Sequence, residues 1–196
     1  MATETCPSYY CGDEWADITS ALCAERKNGG ISFMVLLRCG IDQEDLTEDG
    51  DTTALDLAKV QALIDGNDAK AIPFVQVTID APSPVTATVY DPCNPEQTIN
   101  YDRTLTIVDP NVNETRRVFW SSVNSANLFA NGGALLYECD AARWTWIPKQ
   151  MSIAGGRVSP ENNGELQRFE FTATYRDPDD APIMEGTTWV PADLTY

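Results

Sequence analysis

Histidine is absent from this chain, and basic residues are scarce: 13 Lys plus Arg stand against 30 Asp plus Glu. Without His the commonest general base and metal ligand is missing, so catalysis would fall to Asp, Glu, Lys, Cys or Tyr. A formal charge of −17 excludes a surface that grips nucleic acid by neutralising phosphates. It leaves open a surface that DNA passes without adhering. No apolar run approaches the roughly 20 residues of a membrane span. The longest lies within ISFMVLLRC at 31–39 and is strand-sized. The opening MATETCPSYYCGDEW has neither a basic segment nor an apolar one, so no secretory signal and no membrane partner are expected.

The motifs of common chemistries are missing too. Gly29-Gly30, Gly132-Gly133 and Gly155-Gly156 read as paired turn glycines, and none opens a helix after a strand as a phosphate cradle requires. There is no serine elbow, and a Cys–His pair is excluded by composition. With 30 acids, some carboxylate pair at glycosidase spacing is expected by chance and carries no information. No enzyme and no cofactor are expected. The six cysteines, Cys6, Cys11, Cys23, Cys39, Cys93 and Cys139, are irregularly spaced, with no C-x-x-C. In a chain without a secretory signal this favours free thiols over a disulfide framework. The alternative is a four-thiolate zinc site from Cys6, Cys11, Cys23 and Cys39, although only the first pair has knuckle-like spacing.

What is present is β-pattern. The stretch 151–177 reads as strand, turn, strand. In its second arm Phe169, Phe171, Ala173 and Tyr175 alternate with Arg168, Glu170, Thr172, Thr174 and Arg176. A period of two puts the first set on a core. Asn162, Asn163 and Gly164 supply the turn, and Gly155-Gly156 end the first arm. Ile31 to Cys39 is apolar nearly throughout, as suits a strand covered on both faces. Phe74 to Asp80, Val85 to Val89 and Ile99 to Val108 are further strands, the last two flanking a turn at Asp91-Pro92-Cys93-Asn94-Pro95. Leu135 to Cys139 and Arg143 to Ile147 form a hairpin in which Trp144 and Trp146 share a face, as sheet core or a subunit contact.

Helical signals are fewer. A short helix is expected at 18–25, and another from Leu55 to Ile64, stopped by Gly66-Asn67. The longest, 114–130, is capped by Asn113, with Val118, Phe119, Ser122, Val123, Ala126 and Phe129 on its inner face and Asn131-Gly132-Gly133 ending it.

The segment 42–56 holds seven acids and no base. It reads as a solvated acidic loop. Its register Asp45, Thr47, Asp49, Gly50, Asp51, Asp56 also parallels part of a calcium loop, with Thr at the third place and Asp at the twelfth. The order of elements predicts an α+β, mainly β fold: an antiparallel sandwich or open barrel with one flanking helix. The domain is expected at 31–177, with the acidic loop 40–56 and the helix 114–130 inside it. Residues 1–30 read as an N-terminal arm. Residues 178–196 read as an extended tail, ordered only if something covers Ile183, Met184 and Trp189.

Three stretches carry a resemblance: CAERKNGGISFMVLL (23–37), TRRVFWSSVNSANLF (115–129) and the run from Leu135 to Asp177. Together they resemble phage tail tube (major tail) proteins in element order and texture. The resemblance implies a β-sandwich with a flanking helix, forming hexameric rings that stack into a hollow tube. It implies a virion protein, assembled in the host cytoplasm, whose partners are its own copies and other tail proteins. The arm before Ile31, the loop 42–56 and the tail after Asp177 become candidate ties between rings, with Ile183, Met184 and Trp189 as contacts. The family's long hairpin is not placed by the sequence. Inward acids would keep DNA from sticking, with Glu165 and Glu170 as candidates; the alternative is that the charge keeps the monomer soluble. A neck, ring or head-decoration protein is a second reading within the class. A soluble β-sandwich binding calcium through Asp45, Asp49, Asp51 and Asp56 is the rival outside it.

Overall fold

The computed structural model describes residues 31–88, 96–125, 131–139, 141–148, 151–159, 167–177 and 179–196. The expected arm 1–30 with its helix, the turns at 91–95 and 162–164, the helix end at 126–130, Glu165 and four of the cysteines lie outside them. In chain order the elements are β1 (Ile31–Arg38), β2 (Thr47–Glu48), β3 (Asp51–Leu55), α1 (Leu57–Asp65), β4 (Ala69–Ile79), β5 (Ser83–Thr88) and β6 (Glu96–Asp109). Then come α2 (Glu114–Ser125), β7 (Asn131–Glu138), β8 (Arg143–Ile147), β9 (Ser152–Val158), β10 (Arg168–Arg176) and β11 (Ile183–Met184). The fold is α+β and mainly β, as the sequence predicts.

One antiparallel sheet runs β11-β8-β7-β1-β4-β6-β10-β9, with β5 beside β6; β2 and β3 form a separate small ladder. Strands β8 and β9 stand six places apart in that order, yet only residues 148–151 connect them. Six strand spacings in a flat sheet would span about 29 Å, whereas five residue steps reach about 18 Å at most. The sheet must therefore curl, and it does: Ile147 of β8, Met151 and Ile153 of β9 share one apolar cluster with Met34, Leu105 and Phe171. The result is an open barrel whose seam lies between β9 and β11.

Two cores follow. Helix α2 fills the interior with Phe119, Trp120 and Val123. The outer face of β1, β7 and β8 carries Phe33, Val35, Leu37, Leu135, Trp144 and Trp146, and is covered by α1 and the C-terminal segment. This explains β1: Met34 and Leu36 point inward while Phe33, Val35 and Leu37 point outward, so a continuous apolar run is needed. Each such side chain contributes about 1.5–3 kcal/mol by leaving water.

Strand β4 changes phase within itself. Ile72 and Val75 both face the interior although three residues apart, so one extra residue lies between them. The ladder is irregular at the same place: Phe33 pairs with Pro73 but Ile31 with Val77, two more residues on β4 than on β1. This is a β-bulge, and Phe74 adopts φ 62 there. Beyond it the predicted alternation holds for Val75 and Val77, but Ile79 is 46% exposed. The β1 ladder ends opposite Val77, so nothing in β1 covers Ile79.

Several expectations are corrected. The inner face of α2 is Arg116, Phe119, Trp120 and Val123, and Val118 is exposed. The helix is rotated because the Trp120 Nε1 donates to buried Asp109 at 2.8 Å, and Arg116 Nη1 lies 3.5 Å from the same carboxylate. Gly132-Gly133 and Gly155-Gly156 do not end elements; they lie inside β7 and β9. At Gly132 a Cβ would strike the Arg38 carbonyl, and at Gly155 the Glu170 carbonyl and Phe171 Cα. The tail is not an arm awaiting a neighbour. Residues 179–196 pack on their own chain, with Met184 and Trp189 buried and Ile183 paired to Thr145. Trp189 Nε1 donates to the Leu55 carbonyl at 2.8 Å, and Trp144 Nε1 donates to the Trp189 carbonyl at 3.1 Å. Trp144 and Trp146 are core.

Candidate assembly surfaces

The predicted site residues do not converge. Asp56 caps α1, accepting from Ala58 N at 2.8 Å and Lys59 N at 3.3 Å. Asp51 accepts from Thr53 N and Oγ1 at 2.8 and 2.7 Å, which lowers its pKa. Asp49 pairs with Lys59 Nζ at 2.8 Å; that hydrogen bond holds the carboxyl below, and the ammonium above, their ordinary values. Asp45 accepts from Asp42 N at 2.9 Å. The four acids thus build a hairpin and a helix cap; among the described residues no group of His, Cys, Asp or Glu is placed to hold a metal. Cys39 is disulfide-bonded, which corrects the expectation of a free thiol there and removes it as a zinc thiolate. Cys139 is free, with its sulfur 2.5 Å from Ser32 Oγ.

Of the lumen candidates, Glu170 is half-exposed and lies 3.1 Å from Arg168, so its charge is largely balanced locally. Of the contact candidates, Met184 and Trp189 serve the intramolecular core and only Ile183 is exposed. A cleft of about 550 Å³ between α1 and the C-terminal segment is lined by Asp56, Gln61, Trp189 and Asp193. Of the acids lining it, Asp56 caps α1 and Asp193 accepts from Val190 N at 2.9 Å, while Glu48 is exposed at its rim.

The sequence reading missed a projecting ribbon. Strand β6 pairs with β4 only from Leu105 to Val108, and with β10 only from Asp102 to Asp109. Its first part pairs with β5 alone, Ser83 opposite Asp102 through Thr88 opposite Glu96. Residues 83–88 and 96–101 therefore extend past the barrel as two paired strands, and Ser83, Pro84 and Thr86 are exposed. Both arms and the turn between them were visible as alternation around Asp91 to Pro95. Their projection was not, because it depends on where β1 and β10 stop. From Ala71 to Asp102 the chain has four acids and no Lys or Arg.

The ribbon is rooted by Arg103. Its guanidinium is buried, donating from Nη1 to Asp180 at 2.5 Å and from Nε to the Asp177 carbonyl at 3.3 Å. Next to it Arg176 grips Asp102 through two bonds of 2.6 and 3.1 Å, and the first holds the Asp102 carboxyl below its ordinary range. At the far end of the sheet β9 pairs with β10 on one side; among the described residues nothing pairs with its outer edge. Comparison with family models, with curated proteins and with solved structures finds no match.

Proposed function

We propose that this chain is a non-enzymatic structural virion protein, a phage tail tube subunit that assembles into stacked rings around a conduit for DNA. By resemblance the rings are hexameric, and the partners are further copies and other tail proteins. The observation that carries the reading is the base-free two-stranded ribbon of 83–88 and 96–101 standing clear of the barrel. A two-stranded ribbon is marginal in water by itself, and a neighbouring subunit would supply what its own barrel does not. The charge supports the same reading. A chain with 30 acids against 13 bases repels phosphate within the Debye length of about 10 Å at 0.1 M salt.

The test is negative-stain electron microscopy of the purified chain, with light-scattering mass across a concentration series. Rings or hollow tubes are expected, with a mass that rises with concentration. A chain that stays monomeric at every concentration, with or without a tail-tip initiator complex, overturns the reading.

A further inference from the structure

Among the described residues, two exposed strand edges of this barrel lack the usual protection from pairing. At the seam, β11 is only two residues long and follows Pro182. The outer edge of β5 is interrupted by Pro84, which has no N–H to offer. Short strands and prolines are the usual means of preventing edge pairing. Strand β9, SIAGGRV, is seven residues long without proline or lysine. The part of β6 from Glu96 to Asn100 also lacks proline, and its outer side lies beyond the end of β10. The next carbonyl, that of Tyr101, already accepts from Asp177 N at 3.1 Å. Among the described residues one chain thus presents two unprotected edges of similar length on two different strands.

Their charges are complementary. Arg38, Arg117, Arg143, Arg168 and Arg176 each have a carboxylate within ion-pair distance. Arg157, on β9, donates instead to the neutral amide oxygen of Gln167, and it is exposed. The sequence from Ala71 to Asp102, which includes β5 and the start of β6, has four acids, Glu96 among them, and no base.

We propose that the outer edge of β9 receives residues 96–100 of β6 from a second copy, extending the sheet from one subunit into the next. The proposal rests on the self-assembly reading above and adds which edges meet. A contact between two different edges is head-to-tail, so it propagates and closes as a ring when the rotation allows. Backbone pairing supplies the affinity, and Arg157 against the acidic ribbon selects the partner edge.

The test replaces Thr98 with a photo-crosslinking benzoylphenylalanine in the full chain. This is mixed with heavy-isotope-labelled chain, assembled and irradiated. Crosslinked peptides should join residue 98 of one copy to the 152–158 segment of another, in mixed-isotope pairs. Particles that form but crosslink elsewhere, or only within one copy, overturn the edge assignment and leave the tube reading standing. Absence of particles from the unmodified chain defeats both. As an independent check, Arg157→Glu should raise the concentration at which particles appear at least about tenfold, since like charges meet across the contact. Its melting temperature should match that of the unmodified chain. An unchanged assembly threshold counts against the proposal.

Discussion

Trp120 stacks on Phe171, ring centroids 4.4 Å apart and planes 21° from parallel, while its indole N–H is held by the buried Asp109 carboxylate. Helix α2 and strand β10 are therefore joined by one side chain with two functions. Asp109 also accepts from Asn111 N at 2.9 Å and faces Arg116, whose Nη2 donates to the Pro73 carbonyl at the β4 bulge. Burial pulls the Arg116 pKa down, and the Asp109 charge opposes that pull. Trp120→Phe keeps the stack but leaves a carboxylate oxygen without this donor, and should cost about 1–3 kcal/mol. Asp109→Asn strands a buried cation and should cost about 3–5 kcal/mol. Urea unfolding midpoints at constant slope measure both. Asp109→Asn should be the more damaging, although it preserves nearly all of the side-chain volume.

The C-terminal segment is structural. Truncation after Asp177 would uncover Phe33, Val35, Tyr137 and Trp144 together, so it should yield aggregated chain rather than a folded domain that has lost an assembly arm. The milder Trp189→Ala should cost about 3–5 kcal/mol. Loss of a cooperative transition by near-ultraviolet circular dichroism would mark the truncation. A soluble, cooperatively folding truncate would contradict the packing described.

Glycines of the same strand should respond differently. Gly155→Ala, like Gly132→Ala in β7, places a methyl against backbone that cannot yield, at a cost of about 1–3 kcal/mol. Gly156→Ala meets nothing within 4 Å and has no left-handed conformation to preserve. It should be neutral, or stabilising by up to about 1 kcal/mol through the unfolded chain. Thermal melts of the two β9 variants test the register of β9 against β10, and Gly132→Ala that of β7 against β1.

Much of this was legible in the sequence, and the failures have a common cause. The period of two in Phe169 to Tyr175, the continuous run of β1 and the caps Asn113 and Gly66 depend on near neighbours, and each appears where predicted. The inner face of α2 could not be read, because Val118 and Trp120 are both apolar and only the distant Asp109 decides between them. The role of Asp56 was misassigned because a helix cap and a calcium ligand need the same side chain at the same place. The ribbon was recognised as strands but not as a projection, since that depends on the lengths of other strands.

Asp56→Ala should cost about 1 kcal/mol by removing the α1 cap. Millimolar calcium should leave the melting temperature of the unmodified chain unchanged, because the candidate ligands are spent on backbone and Lys59. A calcium-dependent rise would restore the binding-module reading.

Alkaline pH should destabilise the fold. Burial raises the phenols of Tyr137, Tyr175 and Tyr196 above their ordinary value of 10.0. Above that value the unfolded chain has released protons that the folded chain keeps, so stability falls as pH rises through the raised values. Below it these groups contribute no pH dependence. Urea midpoints should decline from about pH 10 upward, together with a delayed phenolate absorbance.

The covering of the outer apolar face has a consequence for biosynthesis. Strand β1 supplies Phe33, Val35 and Leu37 early, whereas Met184, Trp189 and Leu194 are translated some 150 residues later. On a ribosome adding roughly 5–20 residues per second, that face waits about 8–30 seconds for its lid. During that interval the nascent chain displays aromatic surface beside unpaired strand edges, so chaperone engagement on the ribosome should concentrate between the emergence of β8 and that of the final strand.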